Sequence, residues 1–174
     1  MKINEEKKRR LEAIYQNYLH NEKIVKMKDI PMHRGSNCYI HSFKVAKEAI
    51  KRAMWHKNVD LENILLAAIM HDYYLYNWRE EKRLKKRHGR NHPLIAAKRA
   101  QEDFDISEQI QRIIQSHMWP LNVKIYPNSR EAKIISYSDK KIAFIEALTS
   151  KKYKKKKMNK YEEYISYLFI KEVE

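Results

Sequence analysis

Glycine, proline and cysteine are scarce in this chain of 174 residues, which contains two glycines, four prolines and one cysteine. Few glycines and prolines, combined with abundant Lys, Glu, Ile, Ala and Leu, predict an all-α fold. The single Cys38 excludes an intramolecular disulfide, and the sequence has no CxxC pair. Any metal site must therefore be built from histidine and carboxylate ligands.

The sequence also lacks long apolar stretches. Residues 1–6 do not have the apolar core of a signal peptide, and no run approaches the roughly 18 residues of a membrane span. The length fits one domain with a sizeable core. We therefore expect a single cytoplasmic domain that covers residues 1–174.

Acidic residues are outnumbered, since 37 Lys and Arg face 22 Asp and Glu and give a formal net charge of +15. Much of the excess lies in three runs, 7–10, 82–87 and 151–157. Such runs are typical of solvated surface faces, but they also attract an anionic partner. Both interpretations stay open.

The spacing of apolar residues predicts helices along most of the chain. Ser36 or Asn37 is positioned to cap one helix, and Ser107 another. Asn91 or His92 is the predicted cap of a helix with a proline at its first position. The predicted elements are approximately 3–27, 36–57, 60–72, a basic helix or turn at 79–88, 92–104, a helix from 107 that is stopped by Pro120, 129–148 and 158–171. Residues 3–27 and 158–171 are expected to flank a core of about 33–150.

An apolar run, residues 64–70, ends in the adjacent pair His71 and Asp72. Helical spacing directs both side chains toward the interior, where an unpaired carboxylate is costly unless a partner compensates its charge. The same phase sends inward, or to inner helix ends, four further residues: His41, His92, His117 and Asp139. Each alone has an ordinary explanation as a core residue, but as a set they are best satisfied around a metal. Imidazoles and carboxylates suit first-row divalent ions such as iron, manganese, cobalt, nickel or zinc.

The order of these residues resembles the signature of the HD-domain metal-dependent phosphohydrolase superfamily, H…HD…D. With two further histidines it matches H…HD…H…H…D, the pattern of the two-metal branch, which includes YqeK-type diadenosine tetraphosphate hydrolases and cyclic-dinucleotide phosphodiesterases. The matching residues, in chain order, are His41, His71, Asp72, His92, His117 and Asp139. Two departures are visible: the chain reads HDYYL where many relatives read HDxGK, and it has no GYP motif.

The resemblance implies a bundle of about five core helices, with additional N- and C-terminal helices in this chain. It also implies a divalent transition metal, with two ions expected. One ion would be held by His41, His71, Asp72 and Asp139, and the second by His92 and His117 with Asp72 as the bridge.

The activity that this resemblance implies is hydrolysis of a phosphate ester or anhydride of a small nucleotide by a metal-activated water. Asp72, His92 and His117 are the expected catalytic residues. The candidates for contact with the substrate phosphate are His33, Arg34, Arg90 and Lys140. For the first three an ordinary surface-loop role is equally compatible with the sequence, and Lys140 would otherwise pair with Glu146 or face solvent.

Two alternatives remain at this stage. The chain would be a mononuclear nucleoside 5′-monophosphatase if His92 and His117 were substrate or acid/base residues, and the metal stoichiometry distinguishes that case. It would be a basic nucleic-acid-binding or regulatory protein if the HD site were vestigial. In that case it would bind DNA or RNA with a steep salt dependence and without hydrolysis.

Overall fold

The computed structural model describes residues 4–32, 36–80 and 87–148, and these are folded into helices joined by short connections. The described residues contain no β-strand, only one isolated bridge between Pro31 and Asn37. The predicted all-α fold is confirmed. The α-helices are α1 Glu5–Leu19, α2 Glu22–Val25, α3 Cys38–Ala53, α4 Leu61–Met70, α5 His88–Phe104, α6 Glu108–Ser116 and α7 Arg130–Leu148, with a 3₁₀-helix at Lys26–Asp29.

Helix α4 lies at the centre of the bundle because it packs against five other helices: α1, α3, α5, α6 and α7. Most of its side chains are buried, as expected for a short helix that is apolar on nearly all sides. Its last residue, Met70, is fully buried and leads directly into His71. The residues that follow this helix therefore emerge in the interior of the protein.

Side-chain caps fix where the helices that bear the polar residues begin. Asn37 Oδ1 accepts a hydrogen bond from the Ile40 amide at 2.9 Å, so Asn37 rather than Ser36 caps α3. Ser107 Oγ accepts one from the Ile110 amide at 3.3 Å, which confirms the predicted cap of α6. Each cap satisfies a backbone N–H group that has no partner inside its own helix.

The N-terminal prediction of one helix over 3–27 is wrong. Helix α1 ends at Leu19, and Asn21 Oδ1 accepts hydrogen bonds from the amides of Lys23 at 3.0 Å and Ile24 at 3.3 Å. An asparagine side chain that bonds to the backbone ahead of it starts a new helix and ends the old one. Helix α3 is also shorter than predicted, since it ends at Ala53 rather than near Lys57.

Helix α5 begins one turn before the predicted cap. The amides of Arg90 and Asn91 both donate to the Arg87 carbonyl, at 3.0 and 2.9 Å, and this closes a first turn that starts at His88. Pro93 lies inside the helix but close to its start, where its missing N–H leaves only one carbonyl without an intrahelical donor. Because of this extra turn, the carbonyl of His88 lies next to the side chain of His92.

The helix predicted at 158–171 lies outside the described residues. So does most of the basic segment predicted at 79–88. Of that segment, residues 79–80 form a turn and His88 belongs to α5. None of the helices in the described ranges is long and apolar enough to cross a membrane.

Candidate metal centre

The six residues of the predicted constellation meet at one buried point between the helices. His41 comes from α3, His71 and Asp72 follow α4, and His92, His117 and Asp139 come from α5, the end of α6 and α7. Each of them is at most 7% exposed. The centre therefore depends on the packing of five helices and not on a local loop.

Asp72 lies between two groups of histidines. Its Oδ2 faces His41 Nε2 at 3.9 Å and His71 Nε2 at 3.4 Å. Its Oδ1 faces His92 Nε2 at 3.2 Å and His117 Nε2 at 3.8 Å. The two oxygens of one carboxylate thus serve different neighbours.

Asp139 completes the first group. Its Oδ1 lies 3.1 Å from His41 Nε2 and 3.7 Å from His71 Nε2. Three sets of side chains place potential ligand atoms within 4.8 Å of one another. They are His41, His71 and Asp72; His71, His117 and Asp139; and Asp72, His92 and His117.

Three of the histidines are oriented by backbone carbonyls. Nδ1 of His71 donates to the Ala68 carbonyl at 2.8 Å, Nδ1 of His92 to the His88 carbonyl at 2.8 Å, and Nδ1 of His117 to the Ile114 carbonyl at 2.7 Å. A carbonyl only accepts, so the Nδ1 atoms carry the protons. In the neutral rings the lone pairs are then on Nε2, which points into the centre.

Three Nε2 atoms in the centre, those of His71, His92 and His117, have surroundings that favour a cation. His71 Nε2 is buried and makes no hydrogen bond within the described chain. His92 Nε2 and His117 Nε2 are only 3.0 Å apart, a contact that is favourable only when a proton or a metal cation lies between the two nitrogens. The donor set and these unsatisfied nitrogens therefore fit a divalent first-row metal.

The family model described as "HD domain" matches residues 38–143, which is more than half of the chain and includes all six of these residues. The chain belongs to the HD-domain family. The resemblance inferred from the sequence is therefore confirmed at the level of the superfamily, and the protein is an HD-domain metal-dependent phosphohydrolase. Comparison with curated proteins and with solved structures gave no significant match.

His41 of this HD domain is oriented by a carboxylate and not by a carbonyl. Its Nδ1 lies 2.9 Å from Glu146 Oε2, and Glu146 Oε1 accepts a hydrogen bond from Lys44 Nζ at 2.8 Å. Burial lowers the pKa of His41, but hydrogen bonds to Asp139 and Glu146 outweigh it and raise the pKa to about 10. Burial would raise the pKa of Glu146, yet His41 and Lys44 lower it to about 2.

Glu146 did not enter the predicted site, although the sequence carries a signal for it. It follows Asp139 by seven residues, which is two helical turns, so both project from the same face of α7. A second carboxylate on a largely apolar face needs a buried partner, and His41 is that partner. Glu146 lies just beyond the region that matches the HD-domain model.

Charges within the centre keep its carboxylates ionised. Burial alone would raise the pKa of Asp72, but His71, His92 and His117 shift it below its usual range. The pKa of Asp139 is likewise lowered, because its hydrogen bond to His41 and the nearby rings of His71 and His117 outweigh its burial. Burial and the neighbouring His71 and His92 lower the pKa of His117 to about 3. At neutral pH the centre thus offers two anionic carboxylates and a neutral His117.

A cavity of about 610 Å³ opens onto the centre at Asp72, His92, His117 and Asp139. Its remaining walls are mostly apolar or aromatic and include Met32, Trp78, His88, Met118, Pro120 and Leu121. The Trp78 and His88 rings stack at 4.9 Å with an angle of 15°, and His88 stacks on His92 at 4.6 Å and 24°. A continuous column of rings therefore runs from the cavity wall to the centre.

The predicted phosphate-binding residues have different surroundings. Lys140 is in the cavity wall, but its Nζ donates to the His117 carbonyl at 2.9 Å, the Ser136 carbonyl at 3.0 Å and Ser136 Oγ at 2.7 Å. Glu146 is paired with Lys44 and not with Lys140. Arg90 is exposed on α5 and is not among the cavity-lining residues. His33 and Arg34 lie outside the described residues, so their predicted role stays a prediction.

Proposed function

We propose that this HD-domain protein is a binuclear phosphohydrolase or phosphodiesterase that hydrolyses a phosphate ester or anhydride of a small nucleotide. The observation that carries the proposal is the position of Asp72, whose Oδ2 faces His41 and His71 while its Oδ1 faces His92 and His117. A carboxylate with each oxygen directed at a different histidine pair is suited to bridge two ions.

The ligands divide into two sets around this bridge. His41, His71 and Asp139 would hold one ion with Asp72, and His92 and His117 would hold the other with the same carboxylate. When bound, two divalent ions lower the pKa of a water molecule and neutralise the charge that develops on phosphoryl oxygens. The carbonyls behind His71, His92 and His117 fix their Nε2 atoms in the orientation that such ligands need.

The cavity beside the centre supports a small nucleotide as substrate. Its volume of about 610 Å³ falls within the range of small-molecule sites. The phosphate would bind at the polar end, beside Asp72, His92 and His117, and an aromatic base would lie against the apolar wall that includes Trp78 and Leu121. That wall would also exclude bulk water from the reacting phosphate, and the net charge of +15 favours approach of an anion.

A metal titration tests this proposal. Protein stripped with a chelator and reloaded with manganese or zinc should bind about two equivalents per chain, and the His117→Ala variant about one. His56→Ala is the matched control, because His56 is exposed just beyond the end of α3 and should leave the stoichiometry unchanged.

The same preparations should then be assayed for phosphate release from nucleoside monophosphates, dinucleoside polyphosphates and cyclic dinucleotides. Activity that needs the metal and is lost in Asp72→Asn would support the proposal. One equivalent in the wild type, unchanged in His117→Ala, would instead support the mononuclear nucleotidase. No metal uptake, together with salt-dependent binding of DNA or RNA, would support the basic binding protein.

A further inference from the structure

Ser136 and Lys140 form a clamp on the backbone that follows α6. Ser136 is 5% exposed, and its Oγ lies 2.8 Å from the His117 carbonyl and 3.3 Å from the Trp119 carbonyl. Lys140 Nζ donates to the same His117 carbonyl at 2.9 Å and to Ser136 Oγ at 2.7 Å. Two residues one turn apart on α7 thus hold the connection that carries a predicted metal ligand.

The clamped connection contributes to both parts of the site. His117 supplies Nε2 to the centre, while Met118, Pro120 and Leu121 continue into the cavity wall. The position of this chain segment relative to α7 therefore sets where His117 Nε2 lies and how wide the cavity is.

We propose that Ser136 and Lys140 are positioning residues, which hold His117 in place for the second ion and fix the adjacent cavity wall. The inference rests on the proposed binuclear function. It gives Lys140 a role different from direct phosphate binding. All three protons of its ammonium group already have acceptors, namely the His117 carbonyl, the Ser136 carbonyl and Ser136 Oγ.

Helix α7 also supplies two matched controls. Ser138 is fully buried two residues from Ser136, yet its Oγ makes no hydrogen bond within the described chain. Lys141 is adjacent to Lys140, but its Nζ pairs with Glu48 at 2.7 Å, away from the cavity. Ser138→Ala and Lys141→Met therefore reproduce the chemical changes of Ser136→Ala and Lys140→Met without affecting the clamp.

The experiment compares these four variants by titration of the metal-free protein with Co²⁺, followed by visible absorbance and calorimetry. Ser136→Ala and Lys140→Met should weaken the second binding step about tenfold, which is the usual effect of losing a residue that supports a metal ligand. The first binding step should stay unchanged. Ser138→Ala and Lys141→Met should titrate like the wild type.

Imidazole ¹⁵N spectra of the metal-free protein provide a readout that does not depend on metal stoichiometry. The His117 signals should shift in Ser136→Ala and Lys140→Met, while those of His41 stay in place. If the wild type binds only one ion, the binuclear proposal fails, and the clamp is still judged by these signals.

Unchanged His117 signals with unchanged metal binding would overturn the clamp. A rise in KM alone in Lys140→Met would do so too, because it would return Lys140 to the role of a phosphate-binding residue. If Lys140→Met does not fold, Ser136→Ala carries the test, since it changes no charge and removes only a hydroxyl group.

Discussion

Loading the centre with a divalent metal at neutral pH should expel a proton from His41. In the structure Nδ1 of His41 lies 2.9 Å from a Glu146 oxygen and Nε2 lies 3.1 Å from an Asp139 oxygen. Both partners are acceptors, so the ring holds a proton on each nitrogen despite its burial, and its pKa is raised to about 10. A metal that binds Nε2 needs the lone pair, and the proton there must leave.

The size and sign of this effect follow from the pKa. At pH 7 the metal-free ring lies about 3 pH units below its pKa, and each unit corresponds to about 1.4 kcal/mol, so displacing the proton costs about 4 kcal/mol. Because the metal-free protein holds more protons than the loaded one, metal affinity should increase with pH. It should rise about tenfold per pH unit and level off near pH 10. The pKa of His71 is also raised, since Asp72 and Asp139 outweigh its burial, and this makes the slope steeper.

Calorimetry in buffers of different ionisation enthalpy measures the protons released. The wild type should release about one proton from His41 when the ion binds at pH 7. Glu146→Gln retains an acceptor for Nδ1 but removes the charge, so it should lower the pKa of His41 and move the levelling-off of the metal affinity to a lower pH. Glu48→Gln is the control, because Glu48 also joins α3 to α7, through Lys141 at 2.7 Å, without contact to the centre. Metal binding without proton release, or the same pH profile of metal affinity in Glu146→Gln, would refute the reasoning.

Four further changes test other parts of the account. Trp78→Ala should raise KM for a nucleotide about tenfold, in line with the roughly 1–3 kcal/mol of base stacking, whereas Trp55→Ala should not, since Trp55 is 85% exposed outside the cavity. Leu65→Ala should lower the free energy of unfolding by about 2–5 kcal/mol in denaturant titrations, because Leu65 is fully buried in α4, and a loss below 1 kcal/mol would contradict that packing. Asn37→Ala should cost about 1 kcal/mol in the same assay through loss of the α3 cap, and an unchanged midpoint would argue against it. A chelator should lower the Tm of the metal-loaded wild type but not of Asp72→Asn, since a metal that binds only the folded state stabilises it. An equal fall in Tm for both proteins would contradict the assignment of Asp72 as a metal ligand.

The sequence was sufficient to predict that most residues of the centre are buried, because helical phase determines the inward face of each element. His41, His117 and Asp139 share a face with apolar neighbours, and His71 with Asp72 follows an apolar run, so all five had to be buried. The scarcity of glycine and proline likewise predicted the all-α fold. These properties are local, and a single sequence contains them.

Contacts between distant elements could not be predicted in the same way. Lys140 is adjacent to Asp139 in the sequence, which made it a candidate for contact with the substrate phosphate. In the structure its ammonium group donates to the carbonyl of His117, at the end of α6. The position of that carbonyl depends on how α6 packs against α7. The pairing of Glu146 with His41 joins residues 105 positions apart. The start of α5 at His88 was missed for a different reason: Pro93 favours the first helical position in general, and here the first turn closed ahead of it.

Anomalous diffraction from crystals of the manganese-loaded protein is the most direct test of the central claim. We expect two peaks per chain, about 3.5–4 Å apart as in other two-metal sites, one on each side of the Asp72 carboxylate. The first should contact His41, His71 and Asp139, and the second His92 and His117. A single peak on the His41 side, with His92 and His117 still in direct contact with each other, would contradict the binuclear account.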